Sequence, residues 1–111
     1  MNVKIIPSAE FDRQFKRLAK KYKSLLDDYL SLSKELKKNP LQGSDLGGGV
    51  RKIRMAIGSK GKGRSGGARV LTLNVLVSDD ADVTLLTIYD KDEIDNVSDN
   101  YIKWLVSEAK K

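Results

Sequence analysis

The sequence predicts a small α+β fold, in which an antiparallel-rich sheet of about four strands packs with two N-terminal helices and one C-terminal helix. Its 111 residues, 40% of them hydrophobic, are enough for one core, so residues 1–111 are expected to form a single domain. Apolar side chains recur at helical spacing near both ends of the chain and alternate with a period of two between them. The predicted order of elements is β, α, α, β, β, β, α.

The first predicted elements are a short strand and a helix. Residues 3–7 alternate loosely between apolar and polar and stop at Pro7, as expected of a strand at a sheet edge. Ser8 is a candidate N-cap, with Glu10 in the first turn of the helix that follows. The apolar stripe of this helix consists of Phe11, Phe15, Leu18 and Tyr22.

A second helix follows at once. Ser24, with Asp27 three residues later, resembles a capping box, and Asn39-Pro40 ends the helix. Its predicted apolar stripe consists of Leu26, Tyr29, Leu30 and Leu36. The glycine-rich residues 42–49 are predicted to form a turn, so the two helices should pack antiparallel and lead into the sheet.

Three strands and a helix are predicted in the second half. Residues 50–57 alternate, with Ile53, Met55 and Ile57 on the core face. Residues 68–77 are apolar on both faces, which is typical of a central strand, and residues 79–82 turn into a third strand at 83–89. A last helix should start near Ser98. Its predicted core stripe consists of Val97, Tyr101, Trp104 and Leu105.

The amino-acid composition limits the reactions that this chain could catalyse. The chain has no cysteine and no histidine, so disulfides, thiolate chemistry, the usual metal ligand and the usual proton shuttle near neutral pH are all excluded. We therefore expect no metal and no cofactor. No apolar run approaches the roughly 20 residues that span a bilayer, and the N-terminus lacks the apolar core of a signal peptide. The expected location is the cytoplasm, without a membrane partner.

The charge of the chain is unevenly distributed. Residues 1–69 carry 17 basic and 6 acidic side chains, a net charge of +11, whereas residues 70–111 carry 4 and 9, a net charge of −5. No acidic residue occurs between Gly47 and Ser78. Mixed charges would solubilise a surface equally well, so this acid-free span predicts a polyanionic partner, and the two halves should face different partners or different parts of one.

Residues 51–69, RKIRMAIGSKGKGRSGGAR, hold seven of the cations. Because neighbouring strands lie about 4.8 Å apart, the strand residues Lys52, Arg54 and Arg69 are expected to converge near one spot. The loop between them resembles a phosphate-binding P-loop, but it leads into a strand rather than a helix, so that interpretation is rejected. Its glycines more plausibly let the loop cations Lys60, Lys62 and Arg64 follow an RNA backbone.

These segments resemble a known family, the RelE-type toxins of bacterial toxin–antitoxin systems, and most closely its HigB branch. The resemblance covers nearly the whole chain and consists of FDRQFKRLAKKY, a helix that ends in NP, GGGVRKIR, a glycine-lysine loop, GGARVLTL and LLTIYDKDE. It implies a RelE-like fold, a ribosome-dependent endoribonuclease that cuts mRNA in the ribosomal A site, and a cognate antitoxin, expected to carry a helix-turn-helix domain.

The resemblance also implies site residues. Lys52 and Arg54 match paired basic residues that such toxins place on the sheet, Arg69 matches an arginine that stabilises the scissile phosphate, and Tyr89-Asp90-Lys91 lies where late-strand functional side chains occur. Asp92 stands where some members have arginine, so that contribution is expected from elsewhere, such as Arg64.

Cleavage by attack of the RNA 2′-OH on the adjacent phosphate needs a base, an acid and cations, but no metal. Lys52 is the candidate base, with phosphate positioning as the alternative. Arg54 and Arg69 are candidate phosphate stabilisers, and Tyr89 is a candidate stacking or hydrogen-bonding group, with an ordinary strand-end aromatic as the alternative. The predicted contacts to mRNA or ribosomal RNA are Arg51, Lys60, Lys62, Arg64 and Lys91.

Two other functions fit the same sequence. One is that of the gyrase-poisoning branch of the superfamily, which inhibits its target without cleaving RNA. The other is a non-catalytic basic RNA-binding module, for which the same cationic patch would suffice.

Overall fold

The computed structural model describes residues 2–111. In chain order its elements are β1 (Val3–Pro7), α1 (Ala9–Lys21), α2 (Leu25–Lys38), β2 (Ser44–Gly47), β3 (Val50–Met55), β4 (Ala68–Val77), β5 (Asp80–Asp90) and α3 (Asp99–Ala109). A short 3₁₀ turn, Gly58–Lys60, lies in the loop between β3 and β4. No helix of the described residues is long and apolar enough to cross a membrane.

The five strands form one mixed sheet in the order β1-β5-β4-β3-β2. The strand β1 runs parallel to β5, whereas the other neighbours are antiparallel. The α+β class with three helices is confirmed, but the sheet has five strands rather than about four.

The extra strand is β2, which lies in the segment that was predicted to be a turn. All four of its residues are exposed, so no apolar alternation marks it in the sequence. The chain returns from β2 to β3 through Gly48 and Gly49, both with positive φ (63° and 86°), the conformation that a two-residue hairpin requires.

Serine side chains cap the N-termini of two of the helices. The Ser8 Oγ accepts a hydrogen bond from the Phe11 amide at 3.1 Å, and the Ser98 Oγ accepts one from the Tyr101 amide at 3.1 Å. The predicted capping box at Ser24 is wrong, because the Ser24 hydroxyl instead donates to Asp28 at 2.8 Å and accepts from the Ser59 amide. A contact with the β3–β4 loop thus replaces the local cap.

The helices α1 and α2 cover one face of the sheet. The stripe predicted for α1 faces this core, whereas α2 buries Leu25, Leu32 and Leu36 and leaves Leu26 and Leu30 exposed. Two overlapping stripes with helical spacing exist in α2, and contact with the sheet selects the one that starts at Leu25.

The helix α3 packs on the opposite face. Its Leu105 joins Val50, Leu71, Leu73, Leu86 and Tyr89 in a second cluster. The prediction that Trp104 is a core residue is wrong, since Trp104 is exposed and stacks on Tyr101 with ring centroids 6.0 Å apart.

The far end of β4 also differs from its prediction. Residues 68–73 are buried as expected of a central strand, but Val75, Leu76 and Val77 are exposed. The strand β3 pairs with β4 only as far as Leu73, so beyond that point β4 has no strand on that side and becomes the edge of a three-stranded section with β5 and β1.

Candidate functional site

The register of the sheet aligns three predicted site residues. Arg54 on β3 lies opposite Arg69 on β4, and Arg69 lies opposite Tyr89 on β5. Residues that are directly opposite point to the same face, so these side chains form a row across three adjacent strands. Lys52, two residues before Arg54 on β3, shares that face because side chains alternate along a strand. We call Lys52, Arg54, Arg69 and Tyr89 the cation row, after the three cations among them.

Arg69 is held by the backbone of the β3–β4 loop. Its Nη1 donates to the carbonyls of Arg64 (3.2 Å) and Ala68 (3.3 Å), and its Nη2 donates to the carbonyl of Ser65 (3.0 Å). Only 5% of the residue is exposed. These bonds occupy three of the five guanidinium N–H groups, which leaves two for one bidentate contact with an anion.

Tyr89 is a buried residue with an unused hydroxyl. It is 3% exposed, and its phenolic oxygen has no hydrogen-bond partner among residues 2–111. Burial raises the pKa of Tyr89; nearby Arg69 lowers it and Asp95 raises it further. The hydroxyl therefore keeps its proton near neutral pH and is a donor without an acceptor, which favours hydrogen bonding over base stacking for this residue.

Lys52 and Arg54 carry uncompensated charge. The ion pairs among residues 2–111 involve other cations of this region and include neither Lys52 nor Arg54. Lys52 also lines a groove of about 730 Å³ between the β2–β3 hairpin and α3, with Val50 and Leu71 among its apolar walls. Arg54 is exposed and lines a smaller depression beside Glu35 at the edge of the sheet.

A comparison with protein families identifies the chain. The model described as "RelE toxin of RelE / RelB toxin-antitoxin system" matches residues 11–111, a range that contains the entire cation row and begins inside α1. The chain belongs to the RelE toxin family. This confirms the resemblance at the level of the family, so the protein is the toxin of a toxin–antitoxin system and has an antitoxin as its partner.

Two of the predicted RNA contacts in this RelE-family toxin have their side chains engaged within the protein, and Lys60 is the first. Its side chain is only 7% exposed, and its ammonium donates to Asp90, to Asp92 at 2.8 Å and to the carbonyl of Gly66 at 3.0 Å. Burial works to lower the pKa of Lys60, but the hydrogen bonds to Asp90 and Asp92 outweigh it and raise that pKa overall. Lys60 is therefore a structural cation and does not extend from the loop toward RNA.

Arg51 is the second predicted RNA contact whose side chain is engaged within the protein. It alternates with Lys52 on β3, so it lies on the opposite face of the sheet from the cation row. Its guanidinium donates to the carbonyls of Gln42 (3.3 Å) and Gly43 (3.0 Å) and lies 3.9 Å from the carboxylate of Asp45. These contacts fasten the segment before β2 and leave Arg51 away from the predicted path of RNA.

Three of the five predicted RNA contacts remain accessible, but each has a carboxylate partner. Lys62 pairs with Asp92 (3.3 Å), Arg64 with Glu35 (2.8 Å) and Lys91 with Asp95 (3.0 Å). The hydrogen bond with Lys91 lowers the pKa of Asp95 most, and Arg69 and Lys52 lower it further, so Asp95 lies near the cation row.

The acidic residues 90–95 thus fold against the basic loop. Part of the opposite charge of the two halves is therefore paired internally, since Lys60 and Lys62 of the first half pair with Asp90 and Asp92 of the second. Sequence reasoning also missed Asp90 and Tyr22 as partners of the loop. The available signal was an acidic residue at the end of the buried strand LLTIYD, where a carboxylate needs a cation.

Proposed function

We propose that residues 1–111 act as a single toxin domain of the HigB branch, a ribosome-dependent endoribonuclease that cleaves mRNA in the A site and stops translation in the cytoplasm. A cognate antitoxin with a helix-turn-helix domain would neutralise it. The family supports a translation-inhibiting toxin at the coarser level.

One observation carries the proposal: the unpaired cations Lys52 and Arg54 share a sheet face with Arg69 and with the unpartnered hydroxyl of Tyr89. Most other cations around the loop have carboxylate partners, whereas this face keeps free positive charge beside a free hydrogen-bond donor. An RNA phosphate supplies both the negative charge and the acceptor oxygens that these groups lack.

The proposed chemistry is a transesterification within the RNA. Lys52, in its neutral amine form, accepts the proton of the 2′-OH as the 2′-oxygen bonds to the adjacent phosphorus, and the bond from phosphorus to the 5′-oxygen breaks. Arg54 and the two free N–H groups of Arg69 stabilise the negative charge that develops on the phosphate. The Tyr89 hydroxyl, protonated at neutral pH, gives its proton to the leaving 5′-oxygen, or hydrogen-bonds a phosphate oxygen while water supplies that proton.

The accessible cations Lys62, Arg64 and Lys91 bind the RNA backbone. Each exchanges its present carboxylate partner for a phosphate, so the contact is electrostatic and independent of base sequence. Recognition of the codon then depends on the ribosome and on the walls of the groove beside Lys52.

The test maps mRNA 5′ ends after addition of the purified toxin to translating and non-translating extracts. Translation-dependent cuts are expected from the wild-type protein and from Lys37→Ala, which removes an exposed cation of α2 outside the site. Lys52→Ala and Arg69→Ala should retain ribosome binding and lose at least about 100-fold in cleavage rate. An absence of cuts by the wild-type toxin would exclude nuclease activity, and equal cutting without translation would exclude ribosome dependence.

A further inference from the structure

A buried ion pair lies behind the sheet, on the face opposite the cation row. Asp90, at the end of β5, is completely buried and accepts hydrogen bonds from the ammonium of Lys60 and from the hydroxyl of Tyr22 at the end of α1. Its register partner is Ala68, whereas the adjacent pair, Arg69 with Tyr89, points to the other face. Lys60 and Asp90 therefore have no contact with an RNA bound at the row.

The last turn of the β3–β4 loop lies between this ion pair and Arg69. Successive carbonyls are divided between the two cations: those of Arg64 and Ser65 accept from Arg69, and that of Gly66 accepts from Lys60 at 3.0 Å. The next carbonyl, of Gly67, accepts from the Lys91 amide at 3.1 Å. The same short stretch of backbone thus connects the buried pair on one face with the guanidinium on the other.

The start of the loop is held separately by α2. The Gly58 amide donates to Asp28 at 3.0 Å, and the Ser59 amide donates to Ser24 at 2.8 Å. Between this anchor and β4, Lys60 is the only loop side chain of the described structure whose charged group is buried. Removal of its charge would therefore take away a buried side-chain attachment of the second half of the loop, at the Gly66 carbonyl, while the first half stays attached to α2.

We infer that Lys60, through its ion pair with Asp90, is a positioning residue for Arg69. The pair fixes the loop backbone, and the loop carbonyls fix the guanidinium so that its two free N–H groups face the phosphate. This inference rests on the proposed function, in which Arg69 stabilises the cleaved phosphate. A displacement of about 1 Å in such a group can lower a catalytic rate by about 100-fold.

The decisive variant is Lys60→Met, which keeps the length of the side chain and removes its charge. Because it leaves Asp90 buried without its cation, the double variant Lys60→Met/Asp90→Asn removes both charges and preserves the fold. The matched control is Lys21→Met, since Lys21 also lies near Asp90 (3.8 Å) but is exposed and has no hydrogen bond to the loop.

Two measurements distinguish a role of Lys60 in positioning Arg69 from a role in folding. In single-turnover cleavage on programmed ribosomes, Lys60→Met and the double variant should slow cleavage by about 10- to 100-fold while ribosome affinity changes less than about threefold. Lys60→Met should have no further effect in an Arg69→Ala background, because its effect passes through Arg69. The second measurement is hydrogen exchange by NMR of the Arg69 Nη–H groups, which donate to the loop carbonyls; it should accelerate in both Lys60 variants and not in Lys21→Met.

Each outcome bears on the inference. The inference would be overturned by an unchanged cleavage rate in the folded double variant, or by unchanged hydrogen exchange at Arg69. It would also be overturned if Lys60→Met slowed cleavage as much in the Arg69→Ala background as in the wild type. Faster cleavage would overturn it too, because the ion pair would then restrain the reaction. If the wild-type toxin does not cleave mRNA, the proposed function fails, but exchange at Arg69 still decides whether Lys60 fixes that guanidinium.

Discussion

Replacement of Tyr89 by phenylalanine should raise stability and lower activity at the same time. The substitution removes a single oxygen from a side chain that is 3% exposed and leaves the ring in place. That oxygen has no hydrogen-bond partner among residues 2–111, so folding removes it from water without compensation. A bound phosphate would supply the missing partner only when the toxin engages RNA.

The magnitudes follow from this burial. An unsatisfied buried hydroxyl costs about 1–3 kcal/mol, so Tyr89→Phe should raise the free energy of unfolding by up to that amount. For a chain of this size each kcal/mol of such a gain corresponds to an increase in Tm of roughly 4 °C. If the hydroxyl donates a proton or a hydrogen bond during cleavage, its loss should slow single-turnover cleavage by about 100-fold or more.

The assay pairs thermal unfolding with single-turnover cleavage, and Tyr22→Phe is its control. The Tyr22 hydroxyl is also shielded, but it donates to the buried carboxylate of Asp90, so its removal should lower stability by about 1.5–3 kcal/mol. A fall in Tm for Tyr89→Phe comparable to that of Tyr22→Phe would refute the reasoning, because it would show that the Tyr89 hydroxyl is already satisfied in the free protein.

Three further predictions concern the fold and its charges. Burial works to raise the pKa of Asp90, but hydrogen bonds from Lys60 and Tyr22 outweigh it and lower that pKa overall. A depressed carboxyl pKa contributes stability above its unfolded value, so the free energy of unfolding should fall as pH drops below about 4, and Asp90→Asn should flatten this dependence in urea titrations. Gly67→Ala should destabilise the fold by about 1–3 kcal/mol in the same titrations, because a Cβ there would collide with the backbone of residues 55–57, and wild-type stability would contradict this. Lys62→Ala should reduce the salt dependence of ribosome binding by less than about one logarithmic unit per tenfold change in salt, and an unchanged slope would remove Lys62 from the interface.

Local signals in the sequence were sufficient for much of the architecture. Ser8 caps α1 as predicted, and α3 begins beside Ser98 as predicted, with the Ser98 side chain as its cap; both signals are local because a capping bond spans only three residues. The stripe of α2 was less certain, since Leu25 and Leu26 begin two helical stripes and only the sheet selects between them. The strand β2 has no apolar residue facing a core, so its pairing with β3 is visible only in three dimensions.

The candidate site was predictable only where a local pattern in the sequence determines it. Alternation along β3 placed Lys52 and Arg54 on one face, but the alignment of Arg69 with Tyr89 depends on a register shift beside Leu71, which no local pattern reveals. The burial of Lys60 was equally hidden, because its partner Asp90 lies 30 residues away and follows a strand that is otherwise apolar.

The parallel pairing of β1 with β5 affects how the toxin is made. It joins the two ends of the chain, and the hydrogen bond from Ser8 to the Leu86 carbonyl spans 78 residues. Contacts of such long range form late in folding, because closing a long loop costs entropy before any contact compensates for it. The nascent chain must leave its N-terminal strand unpaired until β5 has been synthesised, and Tyr89 joins the row only with that strand. A ribosome that produces this toxin therefore carries an unfinished sheet for most of the synthesis, and the residues of β1 wait for their sheet partner until residues 81–85 have been added.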